Sequence, residues 1–385
     1  MQVGAATSRT AEAGLAAAEA ADAAAQPLTD GCRLAVVFTS PAHVDGLPPI
    51  AAAVRARLHP EALIAGVAQG VVGPGTEIED GPAVSVWAAA WEGGEVRPFR
   101  SAVGRVDTGA VAVLGWPDTD EDDVTIVLAD PHSYPAADVI AHLGRTRPGH
   151  RIVGGLLTPG HAPGRLLLAG PDSVEIHLDG AVGVTLSGVP VEVVVSQGCR
   201  PVGAPFVVTR AEGNVVFELG GAPAMERLRQ IFAEVASEDR VLMQHGLHVG
   251  LVADEYRDRL ETGDFLIRGV IGADEDTGTI AVGDHVAVGQ TIQFQVRDAA
   301  SAHEDLLAAV SRADRTGPTA GALLFTCNGR GRRFFGEPDH DARTVADALT
   351  DHLGGAFCAG EIGPVGPRSF LHGFTASLAV FHDER

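Results

Sequence analysis

Short apolar runs and helix-forming stretches alternate along the chain. Residues 34–39 (LAVVFT) are apolar and β-branched and predict a buried strand. Pro48 predicts the start of a helix through Leu58, because proline suits a first helical turn. The apolar run 62–68 predicts a second strand, and the runs 84–91 and 96–103 predict two more. The pattern is therefore a strand–helix–strand unit followed by a meander.

The same pattern recurs further along the chain. A strand, a helix and a strand are predicted at 124–129, 136–143 and 151–157, and again at 321–327, 342–353 and 356–362. A weaker fourth copy begins at 247 and resumes at 265 after a shorter connection. The central strand of each copy ends in glycines, which allow sharp turns or close backbone approach. Either an internal duplication or the general use of such units in mixed α/β proteins explains the recurrence.

The regions outside these units set the predicted domain organisation. Ala and Glu favour a helix at 8–25. A β-rich bridge covers 181–219 and includes a hairpin whose turn contains Gly213 and Asn214. Pro223 then precedes a predicted helix, which places a domain boundary near Gly220. The predicted fold class is mixed α/β, with two related domains that each combine strand–helix–strand units with antiparallel meander strands.

Composition narrows the choice of function. The 385 residues are too many for one ordinary core, in agreement with two domains. The formal net charge of −22 repels phosphate backbones and anionic lipids, so neither nucleic acid nor a membrane is an expected partner. All 28 basic residues are arginine. The absence of lysine excludes Schiff-base enzymes, and it also excludes the lysines of phosphate-binding loops and protein kinases.

Cysteine content and the N-terminal pattern bear on the compartment. The Ala-rich start carries Glu12, Glu19 and Asp22, unlike a signal peptide, and no apolar run approaches the length of a spanning helix. The four cysteines are scattered without a CxxC pair, so we expect reduced thiols, no bound metal and a cytoplasmic location. No cofactor is expected. Abundant Ala, Gly and Arg suggest a GC-rich bacterial gene.

The densest group of reactive side chains follows the last predicted strands. It lies in the segments TCNGRG, AGEIGPVG and SFLHGFT, and its candidate ligand-binding residues are Cys327, Arg330, Gly360, Glu361, His372 and Thr375. Strand ends in α/β domains form ligand crevices. A guanidinium binds a carboxylate or phosphate and a glutamate binds an ammonium group, so Arg330 and Glu361 could hold both ends of an amino acid. Alternatively, they pair with each other, or Glu361 caps backbone amides.

A second group, Cys199 and Arg200, lies in SQGCRPVG near the predicted boundary. We expect Arg200 and Arg330 to line one cleft and to attract an anion. The alternative is a structural turn with a buried cysteine, and an arginine paired on the surface. Cys327 with His372 could also act as a catalytic pair, although cysteine is often simply a small buried residue.

Several of these segments together resemble the FIST family. They are LIAGVAQGVVGPGTEIEDGPAVSVW, SQGCRPVG, LLFTCNGRGRRFFG, AGEIGPVG and LHGFTASLAVF. The resemblance covers residues 34–381 and implies a FIST N-like domain at 31–219 and a FIST C-like domain at 220–385, after an N-terminal Ala-rich helix within 1–30. It also implies a sensory module for a small polar or anionic metabolite, such as an amino acid.

Family members often carry signalling output domains, and none follows the last predicted strand here. We therefore expect any signal to pass to a separate signalling protein. The alternatives are an enzyme that uses Cys327 or Glu361 on the same class of ligand, and a protein-interaction scaffold.

Overall fold

The chain divides into two compact units, each with most of its contacts within itself. Each unit is made of segments that are not continuous in sequence. The computed structural model describes residues 1–105, 111–160, 164–257, 260, 262–315 and 317–383. Unit 1 comprises 1–195, 306–371 and 375–385, and unit 2 comprises 196–305 and 372–374. The mixed α/β class, with two domains built of sheets, is confirmed. None of the helices in the described ranges has the length and apolar character needed to cross a membrane.

Unit 1 begins with two successive groups of elements. The first repeat contains β1 (Gln2–Ser8), α1 (Ala13–Ala25), β2 (Leu34–Thr39), α2 (Leu47–Leu58), β3 (Ala62–Val67), β4 (Val71–Gly73), β5 (Thr76–Ile78) and β6 (Val84–Ala90). The second repeat contains β7 (Glu95–Arg105), β8 (Val111–Leu114), β9 (Val124–Ala129), α3 (Ala136–Thr146), β10 (Arg151–Leu156), β11 (Leu166–Ala169), β12 (Val174–His177) and β13 (Ala181–Ser187).

The third repeat is split by unit 2. It starts with β14 (Val191–Gln197). Unit 2 follows with β15 (Cys199–Pro201), β16 (Phe206–Glu212), β17 (Val215–Leu219), β18 (Ala222–Pro223), α4 (Ala224–Glu234), α5 (Ser237–His245), β19 (Leu247–Val252), β20 (Phe265–Asp274), β21 (Thr279–Val282) and β22 (Thr291–Arg297). The repeat resumes through α6 (Ala299–Asp314), β23 (Thr319–Cys327), α7 (Arg332–Phe335), α8 (His340–Ala348), β24 (Leu353–Cys358), β25 (Glu361–Val365), β26 (Arg368–His372) and β27 (Thr375–His382).

The sheets of the three repeats share one strand order. Within the described residues the orders are β1-β6-β2-β3-β11-β12, β7-β13-β9-β10-β25-β26 and β14-β27-β23-β24-β4-β5, with β8 added beyond β7. In each sheet a central parallel pair is flanked by antiparallel strands. The internal repetition is therefore real at the level of topology.

In each sheet, the last two strands at one edge come from another repeat. The hairpin β4–β5 of the first repeat pairs with β24 of the third, β11–β12 of the second pairs with β3 of the first, and β25–β26 of the third pairs with β10 of the second. The exchange is cyclic. Each of these sheet edges therefore joins segments that are far apart in sequence.

The apolar core of unit 1 follows from the alternation of side chains along the strands. The inner faces of all three sheets meet in one cluster that includes Phe38, Leu128 and Phe325. The outer faces are covered by α1 and α2, by α3, and by α6 with α8. Central strands buried on both faces explain why the apolar runs are continuous rather than alternating.

Unit 2 is built differently, and the fourth predicted copy is wrong. Strands β19 and β20 pair antiparallel, whereas a copy of the unit would make them parallel. Both are neighbours in the order β15-β22-β16-β17-β21-β20-β19, and β19 also pairs with β22. The repeats thus lie within unit 1, and unit 2 has its own core beneath α4 and α5. The 12-residue connection is at the lower limit for a parallel crossover.

Candidate functional site

The candidate site lies at the carboxyl ends of the two central strands of the third sheet. Strands β23 and β24 are parallel, and Cys327 pairs in register with Cys358. Beyond them, the Asn328 amide donates to the Cys358 carbonyl at 2.8 Å, and the Arg330 amide donates to the Cys327 carbonyl at 2.8 Å. The two strand ends are therefore tied together before the chain turns into α7.

A buried ion pair anchors the turn after β23. Arg330 and Asp341 are each 1% exposed, and the guanidinium forks onto the carboxylate with Nε–Oδ2 and Nη2–Oδ1 distances of 2.7 and 2.9 Å. Thr326 donates a third hydrogen bond to Asp341 at 2.7 Å. Burial alone would raise the pKa of Asp341, but the Arg330 charge and these hydrogen bonds hold it well below its usual value. Asp341 is thus a fixed negative charge.

One nitrogen of the Arg330 guanidinium takes no part in this ion pair. Its Nη1 atom is buried and has no hydrogen-bond partner within the part of the chain described. Its guanidinium also lies 5.3 Å from the ring centroid of Phe335. The charges of Cys327 and Glu361 both act on Arg330, which places all three groups in one neighbourhood.

Glu361 is a fully buried carboxyl group at the start of β25. Its Oε2 atom accepts hydrogen bonds from the amide and the hydroxyl of Thr375, at 3.1 and 2.8 Å. The Cys327 thiol is a further hydrogen-bond partner. Burial raises the pKa of Glu361 to about 8, against the lowering effects of Thr375, Arg330 and Cys327. The group can therefore both accept and release a proton near neutral pH.

Cys358 lies beneath the other strand end and has no exposed surface. Burial, followed by the charges of Glu361 and Cys327, raises the pKa of Cys358 well above its usual value. Its sulfur lies against Gly155 of β10, where an added Cβ would be only 2.3 Å from Sγ. The glycine predicted to permit close approach therefore makes room for this thiol.

The hairpin contributed by the first repeat adds another buried carboxyl group. Glu77 on β5 accepts a hydrogen bond from the Ala342 amide at 3.0 Å, and its own amide donates to Asp339 at 2.7 Å. Burial, and then the negative charge of Asp341, raise the pKa of Glu77 to about 8. The side chain of Glu77 therefore contacts the first turn of α8, next to the Arg330–Asp341 ion pair.

A polar pocket of about 450 Å³ lies over these strand ends. It is lined by Gln69, Gly70, Glu79, Asp80, Asn328, Arg332, Arg333 and Phe357. Arg332 pairs with Asp80, and its backbone amide donates to Glu79 at 2.8 Å. Asn328 directly follows Cys327, and Phe357 directly precedes Cys358. The pocket therefore combines two guanidinium groups, two carboxylates and two side-chain amides.

The structure brings together five of the residues predicted from sequence. Cys327, Arg330, Glu361 and Thr375 form the buried layer described above. Gly360 uses its carbonyl to accept a hydrogen bond from Leu156 of β10 at 2.8 Å. Glu361 does cap a backbone amide, as one alternative held, and Arg330 pairs with Asp341 rather than with Glu361.

The other three predicted residues belong to unit 2. Cys199 is buried in β15, and His372 is also buried. Arg200 pairs with Asp239 and, at 2.5 Å, with Asp298. That arrangement matches the alternative of a paired arginine. A cleft shared by Arg200 and Arg330, and a catalytic pair of Cys327 with His372, stay predictions.

Sequence reasoning missed most of the residues that line the pocket, together with Glu77 and Asp341. Asp341 lay just outside the predicted helix 342–353, which in fact is α8 at His340–Ala348. Glu77, Glu79 and Asp80 lie in or after the hairpin β4–β5, which was not predicted. A DHD segment at 339–341 was the available signal, since acidic residues are favoured in a first helical turn.

The fold and site define a two-domain mixed α/β protein with a polar pocket, and comparison with known proteins shows the family. The family model described as FIST N domain matches residues 33–222, and that described as FIST C domain matches residues 224–364. The chain belongs to the FIST family. Similar chains include an uncharacterized protein of Mycobacterium tuberculosis, 46% identical over 387 residues, and one of Mycobacterium bovis, 43% identical over 388 residues. The matches cover 100% of each chain.

Proposed function

We propose that this protein is a sensory protein that binds a small polar or anionic metabolite, such as an amino acid, in the pocket over the third sheet. FIST domains are generally thought to be small-ligand sensory domains. The observation that supports a polar ligand here is the lining of the pocket, where guanidinium and carboxylate groups stand together. A zwitterion needs both kinds of partner at once.

Arg333 is the best candidate for contact with an anionic group. It is exposed in the pocket lining, and no carboxylate among the described residues pairs with it, whereas Arg332 is held by Asp80. In a chain of net charge −22, an unneutralised arginine creates a local positive potential that attracts a carboxylate. Glu79 and the side-chain amides can then receive an ammonium group.

The buried layer below the pocket fixes its floor. The Arg330–Asp341 pair and the Glu361–Thr375 hydrogen bonds hold the turn that carries Asn328 and the start of β25. A preorganised site loses less conformational entropy when a ligand binds. In this proposal Arg330 and Glu361 support the site, and Nη1 of Arg330 is the atom left for a ligand group that reaches the layer.

The test is a thermal-shift screen of the standard amino acids and small carboxylates, after native mass spectrometry of freshly purified protein. A ligand at about 100 times its Kd adds about 2.7 kcal/mol of stability. Arg333→Gln should weaken binding roughly ten- to a hundredfold, the effect of losing one charge-assisted hydrogen bond. Arg145→Gln, at an exposed position of α3, is the control and should bind like the wild type. Equal binding by both variants would remove Arg333 from the site.

An enzyme is the second candidate, and the contact between Cys327 and Glu361 favours it. A carboxyl group with its pKa raised to about 8 can take the proton of a neighbouring thiol. Product analysis by mass spectrometry separates the two functions. Turnover by the wild type that disappears in Cys327→Ser, while binding persists, would replace the sensory function with the catalytic one.

We further propose that ligand binding is transmitted to a separate signalling protein in the cytoplasm, in keeping with the sensory role that FIST domains are generally thought to have. Affinity capture with and without the identified ligand tests this step. A partner retained equally in both conditions would contradict it.

A further inference from the structure

The ends of β23 and β24 place two thiols side by side, and the proposed ligand binding makes no use of them. Cys327 and Cys358 are an in-register pair of neighbouring parallel strands. Paired residues of adjacent strands project to the same face, with Cα atoms about 4.8 Å apart. A disulfide requires a Cα separation of roughly 4.4–6.8 Å, so the backbone spacing is compatible with one. Both cysteines carry thiols in this structure.

Two groups around the Cys327 sulfur are of the kind that activate a thiol. The Gly329 amide donates to the Cys327 sulfur at 3.4 Å, and the buried Arg330 guanidinium interacts electrostatically with the same residue. Both interactions favour the thiolate. Glu361 hydrogen-bonds the Cys327 thiol and also acts electrostatically on Cys358. The Glu361 carboxyl group can therefore accept the proton of Cys327.

Access differs between the two thiols. Cys327 is 8% exposed, whereas Cys358 is fully buried in the core. The residue after Cys327 lines the polar pocket, and so does the residue before Cys358. A small oxidant that enters the pocket would meet Cys327 first. Cys32 and Cys199, the other cysteines, lie outside this strand pair.

We propose that Cys327 and Cys358 form a redox-reactive dithiol that a peroxide converts to a disulfide, with Cys327 as the attacking residue and Cys358 as the resolving one. Cys327 sulfur attacks one peroxide oxygen, an S–O bond forms, and the O–O bond breaks. The thiol proton passes through Glu361 to the leaving oxygen, giving a sulfenic acid and water. The sulfur of Cys358 then attacks Cys327, the S–S bond forms, and the S–O bond breaks. The Cys358 proton leaves with that oxygen as a second water. Two thiols lose two electrons, and hydrogen peroxide gains them.

The experiment is peroxide oxidation of the purified full-length protein, followed by denaturing thiol titration and peptide mass spectrometry. Hydrogen peroxide in small excess should reduce the titratable thiols from four to two. The mass spectra should show one linked peptide pair containing Cys327 and Cys358, which dithiothreitol reverses. The control variant Cys32→Ala/Cys199→Ala should form the same linked pair.

Two single variants test the assigned roles. In Cys358→Ala, Cys327 should stop at a sulfenic acid that dimedone traps, and in Cys327→Ala, Cys358 should remain a thiol. Glu361→Gln should slow thiol loss at least about tenfold, because glutamine cannot accept the thiol proton. Circular dichroism checks that the variants are folded, and peptide mapping of the wild type does not depend on them.

Retention of all four thiols by the wild type in peroxide would overturn the proposal, as would linked peptides that involve Cys32 or Cys199. Formation of the disulfide with no loss of ligand binding would leave the proposed function intact. Ligand binding without any disulfide would refute the dithiol alone.

Discussion

The buried carboxyl groups of the third sheet differ in charge because their partners differ. Asp341 has a guanidinium within 2.7 Å and stays ionised, whereas Glu361 and Glu77 meet hydroxyl and amide donors and have their pKa raised to about 8. Hydrogen bonds from neutral donors offset only part of the desolvation of a carboxylate. The same side-chain chemistry therefore supplies one fixed charge and two groups that titrate near neutral pH.

Glu361 should make the protein less stable as the pH rises. The pKa is about 4.5 in the unfolded chain and about 8 in the folded one, so the folded state binds the proton more tightly. Stability from this group is present below pH 4.5 and is lost as pH rises towards about 8. In urea unfolding between pH about 5 and about 8, Glu361→Gln should show a flatter profile than the wild type. Exposed Glu304→Gln is the control, and a variant profile as steep as the wild type would contradict the assignment.

The Arg330–Asp341 pair should be far more sensitive to mutation than the surface pairs. Asp341→Asn leaves a buried guanidinium without its counter-ion, which typically costs about 3–5 kcal/mol. Asp80→Asn breaks the exposed pair with Arg332 and should cost less than about 1 kcal/mol. Denaturant unfolding of both variants measures the difference. Similar losses for the two would show that the buried pair has no special role in stability.

Among the helices and strands, the sequence predicts those that a pattern of apolar residues defines. It misses those whose formation depends on pairing with a strand that is distant in sequence. The predicted strand 34–39 and the strand 124–129 match β2 and β9, because a continuous apolar run between turn residues is a strong signal. The helix predicted at 8–25 is α1 at Ala13–Ala25, and the prediction began too early. Ser8 ends β1, which pairs with β6, and the Glu12 side chain caps the amides of Gly14 and Leu15 at the helix start.

The end of the third repeat shows the same limit. The helix predicted to reach 353 ends at Ala348, and the strand predicted at 356–362 is two strands, β24 and β25. Gly354 and Gly355 weaken the strand signal, yet they lie where Trp87 and the Leu324 backbone approach closely. The glycines serve packing that local sequence does not reveal.

Gly354 should therefore resist substitution. A Cβ added there would lie 2.7 Å from the Cβ of Trp87, a buried side chain that cannot move aside. Gly354→Ala should cost about 1–3 kcal/mol through overpacking. Gly269→Ala, also in a strand but with open space around it, should change stability little. Unfolding midpoints of the two variants check this, and equal midpoints would mean that the close approach is not limiting.

For the whole molecule, the recurrence of the strand–helix–strand unit could be predicted from sequence. Which part of the fold holds the copies could not. Three copies of the unit were recognised from apolar strands, and all three lie in unit 1. The cyclic exchange of hairpins was missed, because short strands such as β4 and β5 carry little pattern and nothing local specifies which sheet they join. In the candidate site, the reactive residues at the strand ends were predicted from sequence. The residues that the exchanged hairpin contributes were not.

The exchange of hairpins brings residues of two repeats to the pocket. Glu79 and Asp80 follow β5 of the first repeat, whereas Asn328, Arg332 and Arg333 follow β23 of the third. The pocket is thus assembled from two repeats. A ligand that bridges these segments would stabilise the edge at which they meet, which gives a sensory protein a physical basis for responding to its ligand.

Hydrogen exchange with and without the amino acid or carboxylate that gives the largest thermal shift tests directly whether the ligand binds in this pocket. Bound ligand should slow the exchange of amides in residues 69–80 and 328–335, which belong to different repeats but line one pocket. The Arg333→Gln variant should show no such change at the same ligand concentration. Protection confined to unit 2, or unchanged exchange in both segments while the ligand is bound, would contradict binding in this pocket.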